Sequence, residues 1–350
     1  MCGYGWRCGP GLPRSGSVMM RRAGKILAGC WALAVTGGTN SAQPNPDGGG
    51  SLVRMEGGGY VDEDTVRTAR ETVSHSVTLP EWKNPPGFEK DVFTFARIIF
   101  WSDPARLAER GGFGGGPGGG PGGGRGFGGG FGGGRLGWVI DYPDADLNFS
   151  HRLQQLTSMK VDPDARVLKL THPDLPNYPF IYMEHIERMA LRPAEVTALR
   201  RHLLAGGVLL VNDFWGALAW KNLREEIAKV LPERKWTELT MEHPIFHCVF
   251  DLRGPMSQLR VPSMQRWNRD YVPDDPNSNP TAGHRGEGYE TMRVQALLDD
   301  KGRIMVLAIH NSDISDGWER EGEFADYFKV FSEARAYPLG INIVFYLMTH

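Results

Sequence analysis

Four short segments of this chain concentrate the side chains that could do chemistry. Three of them carry at least one carboxylate, which can coordinate a hard cation or activate a water molecule. The other carries two histidines, which are common metal ligands. The segments span residues 141–148, 212–216, 243–248 and 310–321.

The strongest candidates are polar, charged or flat aromatic side chains. They lie at or just beyond the end of an apolar run. In open α/β sheets, ligands bind outside the carboxyl ends of the strands. We therefore expect Asp141, Asp144, Asp213, His310 and Asp313 to converge on one crevice. The full set of expected ligand-binding residues is Asp141, Asp144, Asp213, Trp215, His310, Asn311, Asp313, Asp316 and Trp318.

Each cluster also has a simpler interpretation. Asp144 or Asp146, and separately Asp213, could cap the helix that follows, because an Asp side chain accepts hydrogen bonds from free N–H groups. Asp313 and Asp316 could equally belong to a turn around Gly317.

The two histidines of the third segment favour a structural role. His243 and His247 stand four residues apart, a spacing that suits a zinc pair on a helix. Pro244 and Ile245 favour a strand instead, where four residues span ~13 Å. We therefore predict satisfied structural histidines and assign no metal site.

Sequence motifs for known reactions are absent. The chain has no G-x-S-x-G or G-x-C-x-G nucleophile elbow, no G-x-x-x-x-G-K-[ST] phosphate loop and no H-E-x-x-H. We therefore assign no catalytic residue and no cofactor.

Composition excludes several classes of protein. The 350 residues are 41% hydrophobic and 23% charged, which is typical of a globular protein. No apolar run reaches the ~18 residues that a spanning helix needs. The formal charge of −2 does not indicate the strongly basic domain that is typical of nucleic-acid-binding proteins. The expected partner is a small molecule or an envelope protein.

The first 42 residues have the layout of a secretory signal. They hold five Lys or Arg and no acidic residue, with an apolar stretch over 26–35 and small residues before Gln43. We predict a signal peptide at 1–42 and an exported protein of the periplasm or cell envelope. Processing as a lipoprotein at Cys30 is the less favoured alternative, because the apolar stretch continues past that cysteine.

The remaining chain divides into a leader and one domain. Residues 43–87 predict a flexible leader and 88–350 a single α/β domain. A Gly-rich insertion at 111–137 interrupts that domain, with 18 glycines between Gly111 and Gly134. Such a composition predicts a disordered loop.

Alternating strands and amphipathic helices indicate a layered α/β sheet. The continuous apolar run Val208–Val211 is typical of a parallel strand covered on both faces. We expect further strands at 91–100, 167–170, 180–183, 245–252 and 304–310, helices at 146–158, 193–205, 220–231, 321–331 and 340–348, and a long loop at 255–288.

Several motifs together resemble the bacterial domain-of-unknown-function family numbered 4159. The resemblance covers about Val92 to His350. The motifs are FTFARIIF (93–100), DYPDADLNFS (141–150), YPFIYM (178–183), DFWG (213–216), HPIFH (243–247), HNSDISDGWEREGE (310–323) and YPLGINIVFYLMTH (337–350).

The resemblance implies a class I glutamine-amidotransferase-like fold, a flavodoxin-like three-layer sandwich with a mostly parallel central sheet. It implies no established activity. Where an elbow nucleophile would stand, Val208–Val211 runs into Asn212-Asp213, and Cys248 lacks elbow glycines. We therefore expect a non-catalytic ligand-binding or scaffolding domain, with a metal-assisted hydrolase as the alternative.

Overall fold

The computed structural model describes residues 52–55, 58–74, 79–88, 91–103, 106, 137–273, 275, 277–283 and 286–350. The predicted signal peptide and the Gly-rich insertion, apart from Gly137, lie outside these residues.

A seven-stranded, mostly parallel sheet forms the centre of the fold. Its strands are β3 (Ala96–Ile99), β4 (Arg166–Lys169), β5 (Phe180–Glu184), β6 (Val208–Phe214), β7 (Trp236–Glu238), β8 (Arg293–Leu298) and β9 (Ile304–His310). They lie in the order β4-β3-β5-β6-β9-β8-β7. The neighbouring pairs β4-β3, β3-β5, β5-β6 and β6-β9 are parallel, while β8 is antiparallel to both of its neighbours, β9 and β7.

Helices complete the layers. They are α1 (Asp144–Leu156), α2 (Pro193–Leu204), α3 (Gly216–Val230), the short α4 (Asp316–Glu319) and α5 (Ala325–Tyr327), a π-helical segment (Phe328–Ala336) and α6 (Tyr337–Thr349). Helices α2 and α3 contact each other, and α1 contacts α4 and α6. This arrangement is consistent with a three-layer sandwich.

The interior strands are buried on both faces, as the apolar runs predicted. Every residue of β5, β6 and β9 is buried. A parallel sheet covered by helices requires this, because each face of a strand must exclude water. The core includes the aromatic rings of Phe95, Phe149 and Trp318.

Ordered structure begins earlier than the predicted leader boundary at residue 88. Strands β1 (Leu52–Arg54) and β2 (Tyr60–Asp62) form an antiparallel ribbon. Val53, Val61 and Val66 are buried in the main core. Short segments with a single buried residue per strand carry too weak a pattern to be recognised from sequence.

The predicted strand at 245–252 is wrong. A 3₁₀ turn occupies Pro244–Phe246, and irregular chain follows it. His243 accepts a hydrogen bond from the Ile245 backbone N–H, which caps this turn. Proline fits the first turn of a helix, where its missing N–H costs nothing.

The helices expected at 220–231 and 321–331 differ in extent from those of the structure. Helix α3 begins at Gly216, four residues before the predicted start at Trp220. The helix expected at 321–331 starts at Ala325 and continues through the π-helical segment into α6. Among the described residues, no helix is both long enough and apolar enough to cross a membrane.

Candidate functional site

Five buried carboxylates gather at the carboxyl edge of the parallel strands, and we call them the acidic cluster: Asp141, Asp213, Asp313, Asp316 and Glu319. Carboxylate oxygens of Asp141, Asp213 and Asp313 lie within 4.8 Å of one another. Carboxylate oxygens of Asp141, Asp316 and Glu319 also lie within 4.8 Å of one another. Asp141 is thus shared by two groups of three carboxylates, a donor set that could hold a cation.

The sheet topology explains the convergence. Asp213 lies near the end of β6, and Asp313 follows the end of the neighbouring strand β9. Because β6 and β9 are parallel, their carboxyl ends meet at one edge. Asn212 fixes the loop after β9, since its amide donates to Ser315 Oγ and its carbonyl oxygen accepts from the Ile314 N–H.

Left-handed backbone accompanies the cluster. Asp141, His185, Asp213 and Asn311 have φ values of 55°, 53°, 47° and 60°. Non-glycine residues adopt this region at a cost, and such strain concentrates at functional sites. The strained residues also contact each other, because the His185 N–H donates to the Asp213 carbonyl at 3.0 Å.

Because the cluster is buried, it is energetically unfavourable for all of its carboxyl groups to be ionised at once. Desolvation raises the pKa of Asp213 to about 7, despite the opposing effect of His185. Desolvation and then the negative charge of Asp213 raise the pKa of Asp313 well above its usual value. The cluster therefore favours a proton or another positive charge in its midst.

His185 supplies one such charge, and sequence reasoning missed it. Its Nδ1 lies 3.0 Å from Glu187 Oε2, and its Nε2 lies 3.8 Å from Asp213 Oδ2. Burial lowers its pKa, but Glu187 and Asp213 outweigh this and raise the pKa to about 10. Its side chain is 39% exposed, so it connects the buried carboxylates with solvent.

Arg97 is the second residue that sequence reasoning missed. It lies in β3, is fully buried, and forms ion pairs with Asp146 and Glu184. The signal was a single charge inside the apolar run Phe93–Phe100, because a buried guanidinium requires carboxylate partners. For His185, the signal was its place two residues after the predicted strand 180–183, between Glu184 and Glu187.

The capping interpretation fails for all three aspartates. Pro143 and Trp215 occupy the N-cap positions of α1 and α3, and neither helix has a side-chain cap. Asp146 instead binds Arg97, with the Arg97 Nε 2.9 Å from Asp146 Oδ1. Asp144 is buried and accepts a hydrogen bond from Ser74 Oγ.

Trp215 and Asn311 lie beside the cluster. The Trp215 indole N–H donates to Asp213 Oδ1 at 2.6 Å, and the guanidinium of Arg260 lies 5.3 Å from the centre of the Trp215 ring. Asn311 accepts from the Gly216 N–H at 2.9 Å and donates to the Gly288 carbonyl. Asn311 thus ties the start of α3 to the long loop.

Two predicted site residues face away from the carboxylates. His310 stacks on Phe214 with ring centroids 5.0 Å apart, and its Nε2 lies 3.0 Å from the Gly216 carbonyl oxygen. Burial lowers its pKa to about 4, so it is neutral. Trp318 is fully buried against Phe149, with centroids 4.2 Å apart, which makes it a core residue rather than an open pocket wall.

The histidine segment has its own local bonds. His247 lies 2.8 Å from Asp251 Oδ1 and 2.6 Å from the Met241 carbonyl oxygen. His243 serves as the turn cap. Nearby Cys248 lies with its Sγ 3.2 Å from the Asn342 carbonyl oxygen, and burial raises the pKa of its thiol. A raised thiol pKa opposes nucleophilic chemistry.

Two open grooves in the described part of the molecule lie away from the acidic cluster. One of about 420 Å³ is lined by residues of 299–304 and the end of α6, and one of about 760 Å³ lies between α3 and the β7–β8 edge. The acidic cluster, in contrast, is closed, with no member more than 4% exposed. An ion or a small charged group would fit such a closed site better than a large substrate would.

Comparison with known families gives a match that covers more than half of the chain. Residues 132–348 match the model of the family described as "Domain of unknown function (DUF4159)". The chain belongs to the DUF4159 family. The family expectation drawn from the sequence motifs is confirmed. No curated protein matches the chain.

The DUF4159 match includes all five members of the acidic cluster and also His185. It begins after β3, so Arg97 lies outside it. The family description assigns no activity, and the function must be argued from the site.

Proposed function

We propose that this DUF4159 protein is a non-catalytic ligand-binding domain whose acidic cluster holds a positively charged group. The observation that carries the proposal is the convergence of Asp141, Asp213 and Asp313, with carboxylate oxygens within 4.8 Å. They come from three separate segments of the chain, so local turn chemistry does not account for their meeting.

The balance of charge around the cluster supports a cationic ligand. Nine buried carboxyl groups lie in this region, namely Asp141, Asp144, Asp146, Glu184, Glu187, Asp213, Asp313, Asp316 and Glu319. Among the residues that the structure describes, Arg97 binds two of these groups, His185 lies against Glu187 and Asp213, and Arg320 lies against Asp316 and Glu319. A buried negative charge without compensation costs several kcal/mol. A bound cation or a protonated amine would remove that cost.

We assign the domain to the class I glutamine-amidotransferase-like superfamily as part of the same proposal. The mostly parallel seven-stranded sheet is compatible with that assignment. The lack of an elbow nucleophile after β6 and the raised thiol pKa of Cys248 argue against glutaminase chemistry. The domain would then keep the crevice of the superfamily and use it for binding.

The runner-up is a metal-assisted hydrolase. The same carboxylate groups favour it, because Asp-rich sites hold divalent ions that activate water. His310, one of the clustered residues that such a hydrolase was expected to use, faces Phe214 instead of the carboxylates. This geometry makes the hydrolase the weaker proposal.

We also propose that the protein is exported and works in the periplasm or cell envelope, where its ligand would be a small molecule or an envelope protein. The basic and then apolar pattern of residues 1–42 supports this. Intact-mass analysis of the protein from its own cells tests it. A mature chain that starts near Gln43 is expected, and a product that keeps residues 21–42 would overturn it.

Metal analysis and thermal unfolding test the binding proposal. The purified protein is assayed for bound metal, then melted with Mg²⁺, Ca²⁺, Mn²⁺, Zn²⁺, putrescine or lysine methyl ester. A ligand at 100 times its dissociation constant stabilises the fold by about 2.7 kcal/mol. We expect at least one amine or cation to stabilise the wild type and to have no effect on Asp213→Asn.

Asp174→Asn is the matched control, because Asp174 is an exposed aspartate whose side chain is 51% accessible. It should respond as the wild type does. A stoichiometric divalent metal that promotes hydrolysis of an ester or phosphoester would establish the hydrolase instead. If no cation or amine shifts the melting of the wild type at pH 8, the binding proposal is wrong.

A further inference from the structure

A groove with aromatic walls lies between α3 and the β7–β8 edge of the sheet, and we call it the Trp220–Trp236 groove. Its volume is about 760 Å³, within the range of small-molecule sites. Trp236 pairs directly with Leu297 across the antiparallel β7–β8 edge, so their side chains share one face of the sheet. Leu297 is buried and forms part of the floor.

The two tryptophans form a fixed aromatic corner. Their ring centroids lie 5.0 Å apart with an interplanar angle of 65°. Packing also fixes the ring of Trp220, because it stacks on the rings of Phe214 and His310. Both tryptophans are only half-buried, so a planar ligand could lie against them at little cost in side-chain entropy.

The rim of the groove is strongly basic. Five Lys or Arg residues line it against a single acidic residue, Glu225. Three of the five are already engaged in ion pairs: Lys221 with Glu225, Arg234 with Asp300, and Arg293 with Glu238. The remaining two, Arg224 and Lys235, are exposed and form no ion pair with any residue that the structure describes.

We propose that the Trp220–Trp236 groove binds an organic anion, one that carries a carboxylate or phosphate on a flat ring. The ring would stack in the aromatic corner, and Arg224 and Lys235 would bind the anionic group. Arg presents a planar fork that suits either oxyanion, and Lys adds a mobile positive charge. This ligand is opposite in charge to that of the acidic cluster, so the groove would be a separate site.

Phenyl phosphate is the probe that carries both features, and two simpler compounds carry one each. Inorganic phosphate has the charge without the ring, and benzyl alcohol has the ring without the charge. Binding is followed by NMR through the indole N–H signals of Trp220 and Trp236, which Trp220→Phe and Trp236→Phe assign. We expect phenyl phosphate to shift both signals and to bind at least about threefold more tightly than either simpler compound.

Charge-removing variants test the role of the rim. Exposed charge contacts are individually weak, so the double variant Arg224→Gln/Lys235→Gln should weaken the binding of phenyl phosphate about three- to tenfold. Arg253→Gln is the control, because Arg253 is 84% exposed and lies outside the groove. It should leave the affinity unchanged. All three substituted side chains are exposed, so folding should be preserved, and a melting curve checks this.

Three outcomes would overturn the proposal. The first is that phenyl phosphate leaves both indole signals unmoved at its highest soluble concentration. The second is that inorganic phosphate binds equally well, which would remove the aromatic contribution. The third is an equal loss of affinity in the Arg253→Gln control, which would indicate non-specific attraction to a basic surface.

Discussion

Replacing Asp213 with asparagine should flatten the pH dependence of stability. Asp213 is buried, and desolvation raises its pKa to about 7, against about 3.9 in an unfolded chain. A carboxyl group whose folded pKa is raised favours folding most below the unfolded pKa. That contribution is lost as the pH rises towards 7.

The magnitude follows from these two values. Between pH 5 and pH 8, the single group should cost the wild type about 2–3 kcal/mol of unfolding free energy. Asparagine has the same shape, carries no charge, and can still accept the indole hydrogen bond of Trp215. The variant should therefore lose about 2–3 kcal/mol less than the wild type over this pH range.

His185 and Asp313 also affect the pH dependence of stability, and the direction of each effect follows from its raised pKa. His185 has a raised pKa, so its contribution also falls as the pH rises above 6.5, and it keeps Glu187 as a partner in both proteins. The pKa of Asp313 is raised partly by the charge of Asp213, so removing that charge flattens the variant's curve further.

Urea unfolding followed by tryptophan fluorescence, in the presence of a chelator, measures the effect at pH 5, 6, 7 and 8. Asp174→Asn should have the same pH slope as the wild type. Parallel slopes for Asp213→Asn and wild type would refute the reasoning, since they would mean that Asp213 titrates alike in the folded and unfolded chains.

Four further predictions test other parts of the fold. Arg97→Met should destabilise the protein by about 3–5 kcal/mol in urea unfolding, because two buried carboxylates lose their partner; a change below about 1 kcal/mol would contradict the buried ion pairs. Gly216→Ala should lower the melting temperature, because φ there is 77° and the added Cβ would lie 2.3 Å from the Tyr289 ring; an unchanged melting temperature would show that the start of α3 can rearrange. Cys248 should react with a thiol reagent more slowly in the native than in the urea-unfolded protein at pH 8, since burial raises its pKa; equal rates would contradict that burial. Deleting 111–134 should change stability by only about 1 kcal/mol; a melting temperature lowered by more than roughly 8 °C would mean that this tract packs on the body.

The sequence predicted the interior of the sheet well. The run Val208–Val211 and the strand Ile304–His310 are both present, because continuous apolar runs have few alternatives to a covered parallel strand. The strand at 293–298 was missed because its apolar residues alternate less clearly with polar ones. The false strand at 245–252 shows the converse, since a proline and a histidine cap outweighed β-branched composition.

The candidate site was partly predictable. Asp141, Asp213 and Asp313 meet because strand ends gather at one edge, a rule that needs only the order of elements. The orientation of a side chain needs more. His310 occupies the predicted position, but its ring turns towards Phe214, because a neutral imidazole packs well among aromatic rings. Pairings such as that of Arg97 with Glu184 depend on which strands are neighbours, and the sequence alone does not specify that.

The region matched by the family model does not contain every strand of the folded sheet, because it leaves out β3. The family match starts at residue 132, yet β3 lies inside the sheet between β4 and β5. A protein expressed from the matched region alone would have a gap one strand wide, and Asp146 and Glu184 would face it without their guanidinium. Conversely, a chain cut within the Gly-rich insertion would give two fragments, the shorter of which supplies an interior strand. Such fragments should complement each other, and their reassembly would report directly on the integrity of the sheet.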